Sequence, residues 1–185
     1  MPLNPCLIDF TNIDPSCEAF AKPGGSFPFL FAARLSDLTL TVGTDGMVTG
    51  VAMKNLAKLK KFTSRKFQNS GAYPLKRSDT GRTTFTHTVV ERIYHETQAD
   101  RNTLVGLAQA EDLVFFLPTN ARQVEVYGRG LGLTATAGTG GTGTKLDDDN
   151  TYLYTFTGDE AAVPALVLIG VDFDATIAAL NALVA

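Results

Sequence analysis

The side chains best suited to chemistry are two histidines, a glycine-rich stretch and a run of aspartates. His87 and His95, with Glu91 between them, fall on the same face of a predicted strand and resemble a set of metal ligands. At about 3.3 Å per residue the two imidazoles stand roughly 26 Å apart in a straight strand, so they cannot share one ion. We therefore predict histidines at the sheet surface or at a subunit contact.

The glycine-rich stretch Gly138 to Lys145 contains the pattern G-x-G-x-x-G. Phosphate binding by that pattern requires a preceding strand and an immediately following helix N-terminus, whose amides and dipole meet the phosphate. Here Leu-Asp-Asp-Asp-Asn follows, and its carboxylates repel phosphate. Thr144 also stands where a Walker loop has lysine. The stretch therefore predicts a mobile hairpin tip.

The aspartates Asp147–Asp149 offer the oxygen ligands that calcium prefers, but Tyr152 takes the place of the glycine that an EF-hand loop requires. Calcium binding is kept as an alternative to aspartates that begin a strand or face a partner. No nucleophile elbow is present, and neither Cys6 nor Cys17 stands in a catalytic pattern with histidine. The sequence predicts no enzyme, no cofactor and no metal.

Charge is distributed unevenly along this chain of 185 residues, although the net charge is only −3. Nine of the sixteen lysines and arginines fall between Lys54 and Arg82, where Asp79 is the only acid. From Thr83 onward acids outnumber bases, 13 to 5. A basic edge and an acidic edge suit head-to-tail self-association as well as they suit nucleic-acid binding, and two solvated surfaces are the simpler alternative.

The elements that position these residues are mainly strands. Phe85, Val89 and Ile93 share one face of a long alternating strand, and the other face carries Thr84, Thr86, Thr88 and Tyr94. Thr97 and Asp100 then form a capping box before a helix near 98–110, with the apolar stripe Leu104, Val105, Leu107 and Ala108.

Further strands are predicted on both sides of this unit. They are Phe29–Leu35, Leu38–Val42, Met47–Met53, Phe62–Phe67, Leu113–Leu117, Gln123–Tyr127, Arg129–Ala137, Thr151–Thr157 and Val163–Ile169. The last is apolar on both faces and is predicted to be buried. Gln68 to Gly81 is predicted to be a long polar loop that acts as a binding arm, since long loops in compact domains are usually functional.

The predicted organisation is one domain over residues 1–185. A proline-rich arm covers 1–28, a β-sandwich core covers 29–171, and a C-terminal helix covers 172–185, capped by Asp172 or Asp174 with the stripe Phe173, Ile177, Leu180 and Val184. The fold class is mainly β: an antiparallel β-sandwich or barrel with one covering α-helix and a short C-terminal helix.

The start of the sequence has neither a basic n-region nor an apolar h-region, so no secretory signal is predicted. Residues 161–171 form an apolar run that Pro164 and Gly170 interrupt, and the run is too short to span a bilayer. The two cysteines lack metal-type spacing, which favours a reduced, cytoplasmic chain.

Five stretches together resemble the tail tube proteins of long-tailed bacteriophages and their injection-system relatives. They are FTSRKFQNSGAY, TTFTHTVVERIYH, NTLVGLAQA, RQVEVYGRGLGL and YLYTFTGDE, and the likeness covers roughly Leu38 to Ile169. The proline-rich first 28 residues and the last helix lie outside it.

The resemblance implies a virion structural protein of the tail, made in the host cytoplasm, whose rings are hexameric and stack into a tube. A long loop reaches the neighbouring ring, and here that loop is the segment with Gln68, Asn69, Ser70, Tyr73, Lys76 and Arg77. Other virion tail proteins are its partners, and genomic DNA passes through the channel without being read. We expect Thr84, Thr86 and Thr88 to face that lumen, with no insertion into membranes.

Two alternatives remain open. One is another virion component with a related β fold: a head–tail connector, a tail terminator or a capsid decoration protein. The other is a nucleic-acid-binding β-barrel that uses the basic run Lys58, Lys60, Lys61, Arg65 and Lys66, with Phe62 and Phe67 as stacking platforms. A solvated basic face above two buried phenylalanines explains the same run more simply.

Overall fold

The structure is a computed structural model, and it describes residues 22–79, 81–94, 97–141, 145 and 150–184. The strands are β1 Phe29–Arg34, β2 Leu38–Val42, β3 Val48–Met53, β4 Lys60–Thr63, β5 Ser70–Ala72, β6 Leu75–Arg77, β7 Thr83–Tyr94, β8 Leu113–Thr119, β9 Gln123–Tyr127, β10 Thr134–Gly140, β11 Thr151–Glu160 and β12 Ala165–Val167. The helices are α1 Gln98–Gln109 and α2 Phe173–Ala182, and a single 3₁₀ turn covers Leu35–Asp37.

The strands form two sheets that pack face to face. The large sheet has seven strands in the order β2-β3-β12-β9-β8-β1-β4. The small sheet has five, in the order β10-β11-β7, with β5 and β6 following each other along the outer side of β7. Pairing is antiparallel except between β3 and β12. The predicted mainly β sandwich with a covering helix and a C-terminal helix is confirmed.

The first hydrophobic core fills the space between the sheets. Alternation along β7 and β11 points every second side chain inward, which buries Val89, Tyr154 and Phe156. The facing strands of the large sheet contribute Leu30, Phe115, Leu117 and Tyr127. Burying a side chain of this size stabilises the folded state by about 1.5–3 kcal/mol relative to leaving it exposed. This apolar layer therefore holds the two sheets together.

The second core lies on the opposite face of the large sheet. Phe31, Phe116 and Val126 pack there against Phe173 and Leu180 of α2. The large sheet is therefore apolar on both faces, and β8 is buried at every position except its last. Asp172 caps α2 by accepting a hydrogen bond from the Ala175 amide at 2.8 Å, which confirms the predicted start of this helix.

Helix α1 covers the core at the side of the sandwich. Its capping box is present: the Thr97 amide donates to Asp100 Oδ2 at 2.8 Å, and the Asp100 amide donates to Thr97 Oγ1 at 3.2 Å. Leu104 and Leu107 enter the core between the sheets. Val105 and Ala108 are exposed, so the predicted stripe is wrong for these two residues. The helix therefore buries a narrower strip than the sequence predicts.

Three further predictions need correction. Val163–Ile169 is not a buried strand, since only β12 pairs within it and Val163 and Leu168 remain exposed. The strand predicted at Arg129–Ala137 begins later, at Thr134, because the glycines around Arg129 form a turn. The strand predicted at Phe62–Phe67 is β4, which ends at Thr63 before a turn with Phe67 at φ 61°.

Candidate assembly surface

The outer face of the small sheet points away from the core and is lined mainly by threonines. Val89 and Ile93 point to the inner face of β7. The predicted lining residues Thr84, Thr86 and Thr88 alternate with that set, so they lie on the outer face, where each is half-buried. The register of β10 and β11 adds Thr134, Thr136, Leu153, Thr155 and Thr157. The predicted lining threonines therefore lie outside the subunit core.

Many polar groups on this face are paired by hydrogen bonds between side chains. Thr86 Oγ1 donates to Asp159 Oδ1 at 2.7 Å, and Lys76 Nζ pairs with Asp159 Oδ2 at 2.8 Å. The hydrogen bond from Lys76, and then that from Thr86, lower the pKa of the Asp159 carboxyl. Thr157 Oγ1 donates to Thr136 Oγ1 at 3.2 Å. The face thus presents hydroxyls and a neutralised ion pair.

The segment predicted to be a free loop is the edge of the small sheet. Strands β5 and β6 pair antiparallel with β7, with Ser70 opposite Val90 and Leu75 opposite Phe85. The prediction of an unpaired loop from Gln68 to Gly81 is therefore wrong. Residues 70–79 are nevertheless exposed throughout, so a subunit contact through this segment stays a prediction.

Gln68 and Asn69 fix this edge to the rest of the chain. Gln68 Oε1 accepts a hydrogen bond from the Tyr94 hydroxyl at 2.7 Å. Asn69 is only 4% exposed, and its backbone carbonyl accepts a hydrogen bond from Ser26 Oγ at 2.6 Å. Its Oδ1 accepts from the Arg92 amide at 3.4 Å. These two predicted contact residues anchor the edge to other parts of the same chain.

The other predicted contact residues are accessible. Ser70, Tyr73 and Arg77 are exposed, and Lys76 is exposed although it pairs with Asp159. The edge can lie this close to the large sheet because Gly71 has no side chain: a Cβ there would collide with the Tyr127 hydroxyl. The exposed edge therefore carries its side chains toward solvent or a partner.

His87 is part of a buried network, and the prediction of a surface or subunit-contact histidine is wrong for it. The ring is 1% exposed between the sheets. Its Nδ1 accepts a hydrogen bond from the Gly128 amide at 3.2 Å, and Nε2 lies 2.8 Å from the Ala162 carbonyl, to which it donates. Burial lowers the pKa of His87, so the ring is neutral and joins the ends of β9 and β11.

Glu160 is a second buried polar residue, and the sequence analysis did not single it out. Its carboxylate accepts hydrogen bonds from the amides of Gly130 at 3.0 Å and Leu131 at 2.9 Å. A Cβ on Gly130 would collide with that carboxylate, which explains the glycine. The interaction orders the turn before β10. The sequence signal that predicts this interaction is an acidic residue at the end of an alternating strand, opposite a glycine-rich turn.

Glu91 lies on the inner face of β7 and is 1% exposed. Its Oε2 atom has no hydrogen-bond partner among the described residues, and the same holds for Nδ2 of Asn69. Burial raises the pKa of Glu91 to about 8, so the carboxyl is mostly protonated at neutral pH. A neutral acid in this position costs less free energy than a buried charge.

The basic run lies on the surface beside β4. Lys58, Lys60 and Lys66 are exposed, while Lys61 Nζ donates to Asn181 Oδ1 at 3.0 Å and lies 4.5 Å from the centre of the Phe29 ring. Phe67 is 76% exposed, so the interpretation of a phenylalanine buried beneath the basic face is wrong for it. Phe62, by contrast, packs against the core.

Several predicted chemical residues lie outside the described part of the chain: His95, Cys6, Cys17 and Asp147–Asp149. Within the described ranges, no group of three or more His, Cys, Asp or Glu side chains is arranged to hold a metal ion. Gly138 and Gly140 belong to β10.

No family model matches this chain, and neither the curated proteins nor the solved structures include a significant match. None of the helices that the structure describes is long and apolar enough to cross a membrane.

Proposed function

We propose that this protein is a virion structural subunit that assembles head to tail into hexameric rings, which stack as the tail tube of a bacteriophage and enclose a channel for DNA. The observation that carries the proposal is the difference between the two faces of the small sheet. One face packs on the core, while the other is a largely neutral threonine surface. Sheets of this kind bury their edges when they continue from one copy to the next.

The edges of the small sheet support such a continuation. In the described part of the chain, β10 pairs with β11 alone, so no strand lies on its outer side, although α1 packs against this strand. Its exposed residues carry no charge, since the strand reads TATAGTG. At the opposite edge, β5 and β6 are likewise unpaired on their outer side. Both edges therefore have free backbone groups that can hydrogen-bond to another strand.

Strand direction makes the two edges compatible. Strand β10 is antiparallel to β11, β11 to β7, and β7 to both β5 and β6. The β5–β6 edge consequently runs opposite to β10. A rotation about a channel axis keeps every strand's direction along that axis, so β10 of one copy meets the β5–β6 edge of the next in antiparallel orientation. Such a contact is heterologous, and heterologous contacts generate a ring when the rotation between copies closes.

The threonine face suits the wall of a DNA channel. DNA carries a dense negative charge and binds proteins chiefly through lysine and arginine contacts to phosphate. On this face Lys76 is neutralised by Asp159, and Arg92 is partly covered. A wall of hydroxyls offers DNA few charges to bind, so the molecule passes without being held. The six-fold symmetry and the stacking come from the resemblance of the sequence to tail tube proteins.

The first experiment is negative-stain electron microscopy of the purified protein, with light scattering across a concentration series. We expect stacked rings or tubes with a central channel. Single closed rings would instead favour a connector or terminator. A protein that remains monomeric at high concentration contradicts self-assembly without other components.

A second experiment locates the threonine face within the assembly. Thr88→Cys in a Cys6→Ser/Cys17→Ser background gives a single site for a maleimide–gold label. We expect the label along the channel. A matched label at Lys54→Cys, which is exposed after β3, serves as the control. Gold from Thr88→Cys on the outside of the tube would contradict the lumen-facing prediction.

Nucleic-acid binding is the second candidate function, and the exposure of Lys58, Lys60 and Lys66 favours it. Binding that depends on these lysines weakens steeply with added salt, because phosphate neutralisation releases counterions. The triple variant Lys60→Glu/Lys61→Glu/Lys66→Glu tests the idea in an oligonucleotide titration. Undetectable binding before and after the substitutions would eliminate this function.

A further inference from the structure

A cavity of about 400 Å³ opens between the two sheets, where the β5 edge faces β8 and β9; we call it the inter-sheet cavity. Its volume lies within the range of about 300–1,000 Å³ that is usual for small-molecule sites. The side chains that give it chemical character are Asn69, Tyr73, Leu117, Glu125 and Tyr127. They combine polar groups with apolar and aromatic surface, which is the usual make-up of a ligand site.

One wall of the inter-sheet cavity is the segment 23–26, and hydrogen bonds hold this segment in place. The Asn120 amide donates to the Gly25 carbonyl at 2.9 Å, and Asn120 Nδ2 donates to the Gly24 carbonyl at 2.9 Å. Ser26 Oγ donates to the Asn69 carbonyl at 2.6 Å, which joins this wall to the β5 edge. The cavity is therefore preformed, and preorganisation lowers the entropic cost of binding a ligand.

Asn69 supplies a buried hydrogen-bond donor to this cavity. The residue is 4% exposed, and its Nδ2 has no hydrogen-bond partner among the described residues. Its Oδ1 accepts from the Arg92 amide, which fixes the oxygen on that side of the side chain and Nδ2 on the other. An unpaired buried donor destabilises the folded state. A ligand that brings an acceptor to Asn69 therefore gains free energy that the empty site lacks.

Glu125 supplies the matching acceptor. Alternation along β9 turns Val124 and Val126 toward the second core and turns Glu125 and Tyr127 toward the cavity. The Tyr127 hydroxyl donates to Glu125 Oε2 at 2.6 Å. Burial, and then this hydrogen bond, raise the pKa of Tyr127, so the phenol keeps its proton and remains the donor. A carboxylate has about four lone-pair sites, so most of them remain for donors of a ligand.

These two groups together restrict the chemistry of the ligand. None of the described residues that line the cavity is Lys, Arg or His, and Glu125 repels negative charge, so the site disfavours an anion. An ammonium ion has donors but no acceptor and leaves Asn69 Nδ2 unpaired. Hydroxyl groups donate and accept as water does, so they replace water at polar sites without loss of hydrogen bonds. A neutral ligand with several hydroxyls fits best.

Tyr73 and Tyr127 add aromatic surface to the same cavity. Their ring centres lie 6.4 Å apart, with 52° between the ring planes. Tyr73 is 44% exposed and lies at the rim, whereas Tyr127 is buried. The C–H groups of a pyranose ring pack on an aromatic face while its hydroxyls point to polar side chains. Aromatic surface beside Asn69 and Glu125 therefore favours a sugar ring over a linear polyol.

We propose that the inter-sheet cavity binds a neutral saccharide, with Glu125 accepting hydrogen bonds from its hydroxyls, Asn69 Nδ2 donating to it, and Tyr73 packing against the ring. The inference does not rest on the proposed function, because all of these side chains belong to one copy of the chain. It gives the protein a binding activity in addition to a role in assembly.

The test is saturation-transfer difference NMR on the full chain, which detects weak binding to monomers and to large assemblies. The probes are methyl β-D-glucopyranoside, methyl β-D-galactopyranoside and N-acetyl-D-glucosamine. Putrescine and N-acetylalanine methylamide are the comparison compounds, because they represent an amine and an amide.

Two substitutions test the side chains of the cavity. Glu125→Gln keeps the shape of the side chain and replaces an acceptor by a donor. Tyr73→Ala removes the ring from an exposed position, so it tests the site even where Glu125→Gln prevents folding. Glu111→Gln and Leu75→Ala are the matched controls, at an exposed carboxylate and an exposed apolar side chain outside the cavity. Circular dichroism checks that each variant is folded.

We expect saturation transfer to the ring protons of at least one saccharide. Glu125→Gln should raise the dissociation constant at least about tenfold, since hydrogen bonds to a charged acceptor are the stronger kind. Tyr73→Ala should also weaken binding, and both controls should bind as the wild type does.

The absence of saturation transfer to all three saccharides would overturn the proposal. Transfer to putrescine or to the amide alone would assign the cavity to another ligand class and would overturn it as well. Saccharide binding that neither Glu125→Gln nor Tyr73→Ala weakens, or that the controls weaken equally, would place the binding elsewhere. Electron microscopy of the same protein separates the two proposals, since saccharide binding by a chain that forms no tubes would support the cavity site and contradict the tube alone.

Discussion

The two sheets of this sandwich are built for different purposes. The large sheet has a hydrophobic core on each face, and its inner strand β8 is buried almost throughout. The small sheet shares only one of those cores; its outer face is partly exposed, and no strand pairs with the outer side of either edge in the described chain. Stability therefore resides mainly in the large sheet, while the small sheet has the surface left for contacts.

The largest effect is expected from a cavity in the large sheet. Phe116 is completely buried in the core beneath α2. Phe116→Ala should lower the free energy of unfolding by about 3–5 kcal/mol, because it removes buried apolar contacts and leaves a void. Urea denaturation measures the change. Thr88→Ala on the outer face of the small sheet is the matched control and should stay within about 0.5 kcal/mol. Similar losses of unfolding free energy from both substitutions would contradict the inference that stability resides mainly in the large sheet.

A smaller effect of opposite sign is expected inside the small sheet. Glu91 is buried without a partner for Oε2 among described residues, and its pKa is raised to about 8. The unfolded chain loses this proton at lower pH than the folded chain, so stability falls as pH rises from about 4.5 to about 8. Glu91→Gln should remove this dependence and stabilise the protein above pH 8 by on the order of a few kcal/mol.

Thermal unfolding of Glu91→Gln at several pH values tests this expectation. Below pH 4.5, where Glu91 is protonated in both states, the variant and the wild type should unfold at similar temperatures. Glu111→Gln, at an exposed carboxylate, should leave the profile unchanged. A Glu91→Gln variant less stable than the wild type at pH 8.5 would indicate that the charged carboxylate has a favourable partner.

The smallest effect is expected on the outer face itself. Lys76 and Asp159 have side chains 64% and 43% exposed, so water screens their attraction. Lys76→Ala should change the free energy of unfolding by less than about 1 kcal/mol. It should also move the pKa of Asp159 upward, since the hydrogen bond from Lys76 is the main cause of its lowering. NMR titration of the carboxyl measures this, and an unchanged pKa would place the cause elsewhere.

The strands that the sequence predicts well are those with local signals. Alternation in β7 and β11 depends only on neighbouring residues, and so do the caps at Thr97 and Asp172. These elements were found because each strand face or helix end has its own residue preference.

The edge of the small sheet was missed because its signals are not local. Residues 70–77 contain glycine, proline and polar residues, which are typical of a loop, and they become strands only by pairing with β7. His87 was placed on the surface because alternation assigns residues to faces and does not show which face another sheet covers. The interpretation of Phe67 as a buried residue fails because apolarity alone cannot reveal a left-handed turn.

The inner face of β7 carries two titratable groups, His87 and Glu91, that affect how the folded chain responds to acid. The lowered pKa of His87 gives stability that is present above about pH 6.5 and is lost as pH falls further, whereas Glu91 gains stability as pH falls from about 8 to about 4.5. As pH falls in mildly acidic solution, the free energy of unfolding is lowered through His87 and raised through Glu91. Burial thus shifts the pKa values of a histidine and a glutamate four residues apart so that their contributions to stability oppose each other in mildly acidic solution.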